Sequence, residues 1–128
     1  MKETTNQELI KKAASVVSPH KVSGSIRLGE VGAALVSDKG NVYCGVSIHA
    51  CCGVGFCAEH SAIAAMVTQK EYKIKKIVAV GRCGKIMPPC GRCRELMFQL
   101  DRENMEADVI LEEKKTIKLK ELLPAPWR

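Results

Sequence analysis

The chain has 128 residues, a length that suits one domain with a hydrophobic core of its own. Hydrophobic residues make up 46% and charged residues 27%, a balance that excludes a disordered or fibrous chain. The net charge of +6 does not by itself predict nucleic-acid binding, because the lysines are scattered and only two Phe, two Tyr and one Trp could stack on bases.

The N-terminal segment is polar, and no later segment has the length of an apolar bilayer-spanning helix, so we expect no signal peptide and no membrane partner. The seven cysteines include a C-x-x-C pair. An odd number of cysteines without a secretory signal favours reduced thiols and metal binding over a disulfide scaffold. A cytoplasmic location is the resulting expectation.

In chain order, helices and strands are predicted to alternate. Thr5 and Glu8 form a capping-box pattern, and the apolar spacing behind them predicts a helix over residues 6–17. Residues 20–29 are expected to form a loop, and residues 31–37 and 42–48 a hairpin. The helix that follows Cys57 is apolar almost all round, which predicts that it is buried.

The second half of the chain continues this alternation. Residues 77–80 form a short apolar run typical of a strand covered on both faces, and residues 90–100 have helical spacing. Residues 109–111 and 116–119 are predicted strands, and the proline-containing tail after residue 120 is expected to lack regular structure. The succession favours one α/β domain over residues 1–128, with helices covering a mixed sheet.

Three cysteines have a spacing that predicts a shared metal. Cys90 and Cys93 lie three positions apart at the start of a predicted helix, so both sulfurs face one side of its first turn. Cys57 opens another helix. Two positive helix ends directed at one point would lower the pKa values of these thiols toward the thiolate that binds metal.

A catalytic zinc keeps its fourth position open for water, whereas a structural zinc has four protein ligands. Glu59 lies two residues after Cys57, within the same helical turn, and is the candidate for moving the protons of that water. The alternatives are ordinary buried thiols or a closed zinc site in a non-catalytic binding module. Such a closed site would draw its fourth ligand from Cys51, Cys52, Cys83, His49 or His60.

The motifs Cys57-Ala58-Glu59 and Pro89-Cys90-Gly91-Arg92-Cys93, with the segment Glu121-Leu122-Leu123-Pro124, resemble the cytidine deaminase family of small homotetrameric zinc enzymes. The resemblance implies a three-layer α/β/α fold with a mixed sheet of about five strands. It implies one Zn²⁺ per chain, held by Cys57, Cys90 and Cys93, with Glu59 as the catalytic proton carrier. The implied reaction converts cytosine to uracil and releases ammonia.

The substrate pocket departs from the family pattern. Cytidine-specific members carry an Asn-x-Glu-Asn segment where this chain has Ser47-Ile48-His49-Ala50, and an aromatic residue where it has Gly29-Glu30. The Pro-Cys-Gly-Arg-Cys form resembles blasticidin S deaminase, which acts on a cytosine nucleoside antibiotic with a guanidine-bearing arm. The more acidic wall at Glu30 could suit a basic substrate of that kind.

Candidate substrate contacts are therefore Glu30, Ser47, His49 and Trp127. Each has a plainer alternative, since Glu30 could be an exposed carboxylate, His49 a satisfied loop histidine and Trp127 a packing anchor of the tail. The expected partner is a nucleoside-like small molecule. A polynucleotide substrate is disfavoured, because the short chain leaves little room for a strand-binding platform.

A zinc site with three thiolates is net negative, so nearby cations are expected to offset its charge. Many relatives place an arginine directly after the catalytic glutamate, whereas this chain has His60. Arg92 or Arg94 could supply the compensation instead, and Arg92 lies between two of the predicted ligands. The remaining cysteines are expected to be non-ligands; they are Cys44, Cys51, Cys52 and Cys83.

Overall fold

The computed structural model describes residues 3–127. Three 3-10 turns accompany the helices and strands, at Cys51–Gly53, Arg82–Gly84 and Arg102–Glu106. The elements are α1 (Asn6–Ser15), β1 (His20–Lys21), β2 (Arg27–Ser37), β3 (Val42–His49), α2 (Ala58–Thr68), β4 (Ile74–Val80), β5 (Ile86–Met87), α3 (Gly91–Leu100), β6 (Asp108–Glu112), β7 (Lys115–Lys118) and α4 (Leu119–Leu122).

Within residues 3–127 the strands form one mixed sheet of seven strands. β2 runs antiparallel to β3 on one side and to β4 on the other, β4 runs parallel to β6, and β6 runs antiparallel to β7. The short strands β1 and β5 pair with β2 and β4. These two strands account for the difference from the predicted five, because two residues are too few to show a period in the sequence.

Both faces of the sheet are covered, which confirms the predicted three-layer α/β/α architecture. Along β2, Ala33 and Leu35 point into a core shared with α2 and α3, whereas Ala34 and Val36 point into a core shared with α1. Successive side chains of a strand face opposite sides of the sheet, so a continuous apolar run serves both cores. β4 is apolar in the same way.

Three predictions are corrected by the structure. The predicted loop over residues 20–29 contains β1 and the first residues of β2, which begins at Arg27 rather than residue 31. The tail forms a short helix, α4, before its first proline. Helix α2 buries only one face, and its outer face leaves Ala64 exposed and Val67 36% exposed.

Asn104 fixes the end of α3 against the sheet. It is fully buried, its Oδ1 accepts from the N–H of Ile74 at 2.7 Å, and its Nδ2 donates to the carbonyls of Tyr72 at 3.0 Å and Met97 at 2.9 Å. A buried polar side chain is tolerated when its hydrogen bonds are satisfied. Nothing in the surrounding polar sequence distinguishes Asn104 as a core residue.

Helix α2 approaches β3 closely at Gly45. A Cβ atom at Gly45 would lie 2.4 Å from the backbone nitrogen of Ala62 and 2.5 Å from the Cβ of Ser61. The Ser61 Oγ also donates to the Val46 carbonyl at 2.7 Å. The absence of a side chain at Gly45 therefore sets how closely the start of α2 lies over the sheet.

None of the helices found in residues 3–127 combines the length and the apolar character needed to cross a bilayer.

Candidate active site

Three thiols meet where two helices begin. Cys57 is the N-cap residue of α2, Cys90 is the N-cap residue of α3, and Cys93 lies in the first turn of α3. The Sγ atoms of Cys57 and Cys90 are 3.3 Å apart, those of Cys90 and Cys93 are 3.6 Å apart, and all three lie within 4.8 Å of one another. The structure thus brings together the three cysteines that the sequence predicted as ligands.

This cluster fits a zinc ion. Three sulfurs bound tetrahedrally to zinc lie about 3.8 Å from one another, close to the separations found here. Among the described residues, no further Cys, His, Asp or Glu joins the group, so the closed site with a fourth protein ligand finds no support in the geometry. Cys93 is fully buried, whereas Cys57 and Cys90 line a cavity.

The pKa values of the thiols differ from the sequence-based expectation. Burial, and then the neighbouring Cys90 thiol, raises the pKa of Cys57 to about 11. Burial and the nearby Glu59 carboxyl raise the pKa of Cys93 above its usual value. Burial acts in the same direction on Cys90, yet hydrogen bonds from the Cys93 N–H and the Cys57 thiol lower its pKa. Only the pKa of Cys90 is lowered, as the sequence predicted, because burial outweighs the effect of the helix ends at Cys57 and Cys93. A divalent cation would stabilise all three thiolates.

Glu59 lies beside the thiols in the first turn of α2. Its side chain is 5% exposed and lines the same cavity as Cys57 and Cys90. Burial raises the pKa of this carboxyl, and its own backbone N–H opposes the shift only in part. A carboxyl that binds a proton more readily than it would in water is suited to accept and return protons during a reaction.

The cavity has a volume of about 450 Å³, within the range of small-molecule sites. Of the predicted contacts, Ser47 and His49 line it, whereas Glu30 and Trp127 are not among its lining residues. Ser47 is buried, and its Oγ accepts from the N–H of Val31 at 3.0 Å. Trp127 is 73% exposed, and its backbone N–H donates to a Glu95 carboxylate oxygen at 2.9 Å.

Several apolar residues of the cavity wall escaped the sequence-based prediction. Val31, Phe56 and Met87 line the cavity together with Pro88. The proximity of Met87 and Pro88 to the Cys90 motif was the signal available in the sequence. Phe56 also contacts the His60 ring, with the ring centroids 5.4 Å apart.

Glu30 lies next to the cavity and is engaged by cations. Its Oε1 accepts from the Nε of Arg27 at 3.0 Å, and the same oxygen is 3.6 Å from an Arg82 guanidinium nitrogen. The Nε2 of His49 is 3.9 Å from its other oxygen. The hydrogen bond from Arg27 keeps the pKa of Glu30 below its usual value despite partial burial. Glu30 is thus not a free carboxylate available to a basic substrate.

The two arginines proposed for charge compensation differ in their contacts. Arg92 donates from Nη1 to the Gly55 carbonyl at 3.4 Å, across the segment that leads into Cys57. Burial, and then the charge of Arg92, lowers the pKa of His60, so the two side chains share one environment. Arg94 donates instead to the carbonyls of Pro89 at 2.7 Å and Leu122 at 3.0 Å, and so holds the C-terminal segment against the thiol-bearing loop.

A mixed sheet covered on both faces, with a thiol cluster and a buried carboxyl at the starts of two helices, defines the class of zinc-type deaminases. The family model described as the cytidine and deoxycytidylate deaminase zinc-binding region matches residues 3–107. The chain therefore belongs to this family, and zinc is its cofactor.

Individual relatives agree with this membership. The cytidine deaminase of Halalkalibacterium halodurans is 32% identical over 106 residues, which are 77% of this chain and 76% of that protein. The fold is similar to the crystal structure of cytidine deaminase from Mycobacterium leprae, with a TM-score of 0.76, 26% identity and coverage of 93% and 97% of the two chains. The fold is also similar to the crystal structure of cytidine deaminase from Burkholderia pseudomallei. The TM-score is 0.76 and the sequence identity 26%, with coverage of 96% of this chain and 99% of that chain.

Proposed function

We propose that this protein is a zinc-dependent aminohydrolase that converts a cytosine nucleoside, or an analogue of one, to its uracil form with release of ammonia. The observation that carries the proposal is the buried Glu59 carboxyl beside three clustered thiols in one cavity. In this proposal Cys57, Cys90 and Cys93 hold one zinc per chain, and Glu59 is the catalytic residue.

Glu59 carries protons in the proposed reaction. When bound, zinc supplies a Lewis acid that makes a water molecule easier to deprotonate near neutral pH. The Glu59 carboxylate accepts a proton from the attacking water and donates it to the ring nitrogen next to the reacting carbon. The new carbon–oxygen bond forms as the ring C=N bond becomes single. The proton of the new hydroxyl group then moves, by way of Glu59, to the amino group. The bond from the ring carbon to the amino nitrogen breaks as the C=O bond forms, and ammonia leaves.

The surrounding residues bind and orient the ring. Apolar side chains such as Phe56 and Met87 offer apolar contact and exclude water, while Ser47 and His49 offer polar groups at the wall. Arg92 is proposed to offset the negative charge of three thiolates. Glu30 and Trp127 were predicted as direct contacts; we propose that Glu30 acts by holding its neighbouring arginines, and that Trp127 serves the tail.

Replacement of Glu59 tests the chemistry. We expect Glu59→Gln to lower kcat by at least about 10³-fold, because it removes the proton carrier, and to leave about one zinc per chain. The exposed Glu112→Gln substitution provides a control with the same loss of charge. Activity of Glu59→Gln near the wild-type level, with zinc retained, would contradict the mechanism.

A substrate panel separates the proposed enzyme from a non-catalytic zinc-stabilised module. The panel contains cytosine, cytidine, deoxycytidine and blasticidin S. Blasticidin S is included because the Pro-Cys-Gly-Arg-Cys motif resembles blasticidin S deaminase and the His49 segment departs from the cytidine-binding pattern. Ammonia release from at least one cytosine compound is expected. Tight zinc binding without any turnover across the panel would favour the non-catalytic module.

The proposal extends to assembly, location and domain organisation. The outer face of α2, with Ala64 and Val67, is apolar and exposed, which supports the homotetramer implied by the family resemblance. We expect sedimentation equilibrium to give four chains per particle, and Val67→Glu to lower that number.

All seven cysteines are free, in keeping with a reducing cytoplasm. Residues 1–128 are proposed to form a single deaminase domain, since one sheet serves both cores of the described residues.

A further inference from the structure

An unequal set of charges lies beside His49, one of the residues that line the cavity. Arg27 and Arg82 come from distant parts of the chain, and both guanidinium groups approach the same carboxylate oxygen of Glu30. We call these three residues the guanidinium cluster. His49 connects the cluster to the cavity, because it lines the cavity wall and its Nε2 lies 3.9 Å from Glu30.

The guanidinium cluster has a net positive charge. Two guanidinium groups and one carboxylate sum to +1, and His49 adds a further positive charge whenever it is protonated. The side chains of Arg27 and Arg82 are 48% and 57% exposed, whereas that of Glu30 is 23% exposed. The two positive groups are therefore more accessible to solvent than the carboxylate that they share.

Resting on the proposed function, we propose that Arg27 and Arg82 bind an anionic group, a phosphate or a carboxylate, on the part of the substrate that points away from the thiols. The reacting ring must lie at the thiols and Glu59, so the remainder of the substrate extends toward the cavity edge. Guanidinium groups present forked donors that match the oxygens of phosphate and carboxylate. Glu30 holds both arginines in place, which lowers the entropy lost when they bind the anion.

The position of Glu30 supports this assignment over a purely structural ion pair. A surface pair gains little from a second arginine, yet the Arg82 guanidinium lies 3.6 Å from an oxygen that Arg27 already occupies. A guanidinium group carries five N–H donors, and the Arg82 side chain is 57% exposed. An arrangement of two arginines around one carboxylate leaves binding capacity for one further anion.

The experiment compares matched substrates that differ in charge. Cytidine is neutral, cytidine 5′-monophosphate carries a phosphate, and a cytidine whose 5′ carbon is a carboxylate separates the two anion types. The measured quantity is the ratio of kcat/KM for each anionic compound to kcat/KM for cytidine. We expect this ratio to exceed one in the wild type for at least one anion, and to fall as NaCl is raised above about 0.1 M.

Substitutions identify the residues responsible. We expect Arg82→Gln to lower the ratio about fivefold, through KM rather than kcat, because the contact is made equally in the ground state and the transition state. Arg27→Gln should lower the ratio in the same direction, and Arg82→Lys, which keeps the charge, should retain most of it. Lys11→Gln, which removes a charge from the exposed face of α1, serves as the control and should not change the ratio.

Two outcomes overturn the inference. One is a kcat/KM ratio at or below one for both anionic compounds in the wild type. The other is an equal loss of kcat/KM for the neutral and the anionic substrates in Arg82→Gln, which would assign the arginines to structure alone. Failure of the proposed function is a separate result, in which no cytosine compound is deaminated. Calorimetric binding of the same three compounds then decides the inference independently: tighter binding of an anion that depends on Arg82 supports it, and equal binding overturns it.

Discussion

Gly45→Ala should shift Cys57 and Glu59, at the start of α2, relative to Cys90 and Cys93, at the start of α3, without touching any of the four. The added Cβ would lie 2.4 Å from the Ala62 nitrogen and 2.5 Å from the Ser61 Cβ, whereas unstrained contacts begin at about 3.5 Å. Both contacted atoms belong to α2, so they can recede only if the helix moves. A displacement of about 1 Å of the helix that begins at Cys57 is therefore expected.

That displacement has a calculable effect on activity and stability. Moving a catalytic group by about 1 Å costs roughly 10²-fold in rate, so we expect kcat to fall by about that factor because Glu59 moves with α2. Overpacking costs about 1–3 kcal/mol, and loss of the Ser61 hydrogen bond to the Val46 carbonyl costs about 1 kcal/mol more. Steady-state ammonia release measures the first effect, and urea unfolding measures the second.

The control is Gly24→Ala, since a Cβ at Gly24 meets no atom within 4 Å. It should leave kcat and stability near the wild-type values. The refuting result for Gly45→Ala is a loss of stability with kcat within about twofold of wild type. Such a result would mean that the strand β3 moves outward instead, and that the position of α2 over the sheet does not set the active site.

Two further predictions concern stability. Asn104→Ala should lower the free energy of unfolding by about 2–4 kcal/mol, because three backbone groups lose their buried partner; urea unfolding that shows a loss below about 1 kcal/mol would contradict the role assigned to Asn104. Hydrogen bonds from Ser37, Tyr43 and Asn41 lower the pKa of Glu71 in the folded protein. The contribution of Glu71 to stability is therefore present above the pKa of a glutamate in the unfolded chain, about 4.3, and is lost as the pH falls below that value. The acid limb of the unfolding free energy, measured from pH 6 to 3, should be shallower in Glu71→Gln than in wild type, and an unchanged limb would refute the assignment.

The features predicted correctly from the sequence are those determined over a few residues. Thr5 is confirmed as the residue that caps the first helix, because its Oγ accepts from the Glu8 N–H at 3.1 Å. The apolar runs of β2 and β4 are confirmed as strands between two helical layers, since their composition allows both faces to be buried. Zinc as the cofactor is confirmed by the family match and by the cluster of Cys57, Cys90 and Cys93. It was predictable because the spacing of Cys90 and Cys93 within one helical turn is a local property of the sequence.

The features that the sequence did not predict depend on contacts between distant segments. The two-residue strands β1 and β5 exist only because a longer strand lies beside them. Asn104 is a core residue because α3, the segment before β4 and the first residue of β4 each present one backbone group to it. The close approach at Gly45 depends on a helix that begins after an intervening loop, so no pattern around Gly45 itself indicates it.

The charge at the cavity edge illustrates the same dependence with a functional consequence. Glu30 alone predicts an acidic wall. Arg27 in the same strand balances its charge, and the fold then brings Arg82 from the turn after β4, so that the three charges sum to +1. The thiols and Glu59, by contrast, are positioned by the starts of α2 and α3. Because the two sets of residues lie on different segments, substitutions in the turn at Arg82–Gly84 can change substrate preference while the groups proposed for the deamination chemistry stay in place.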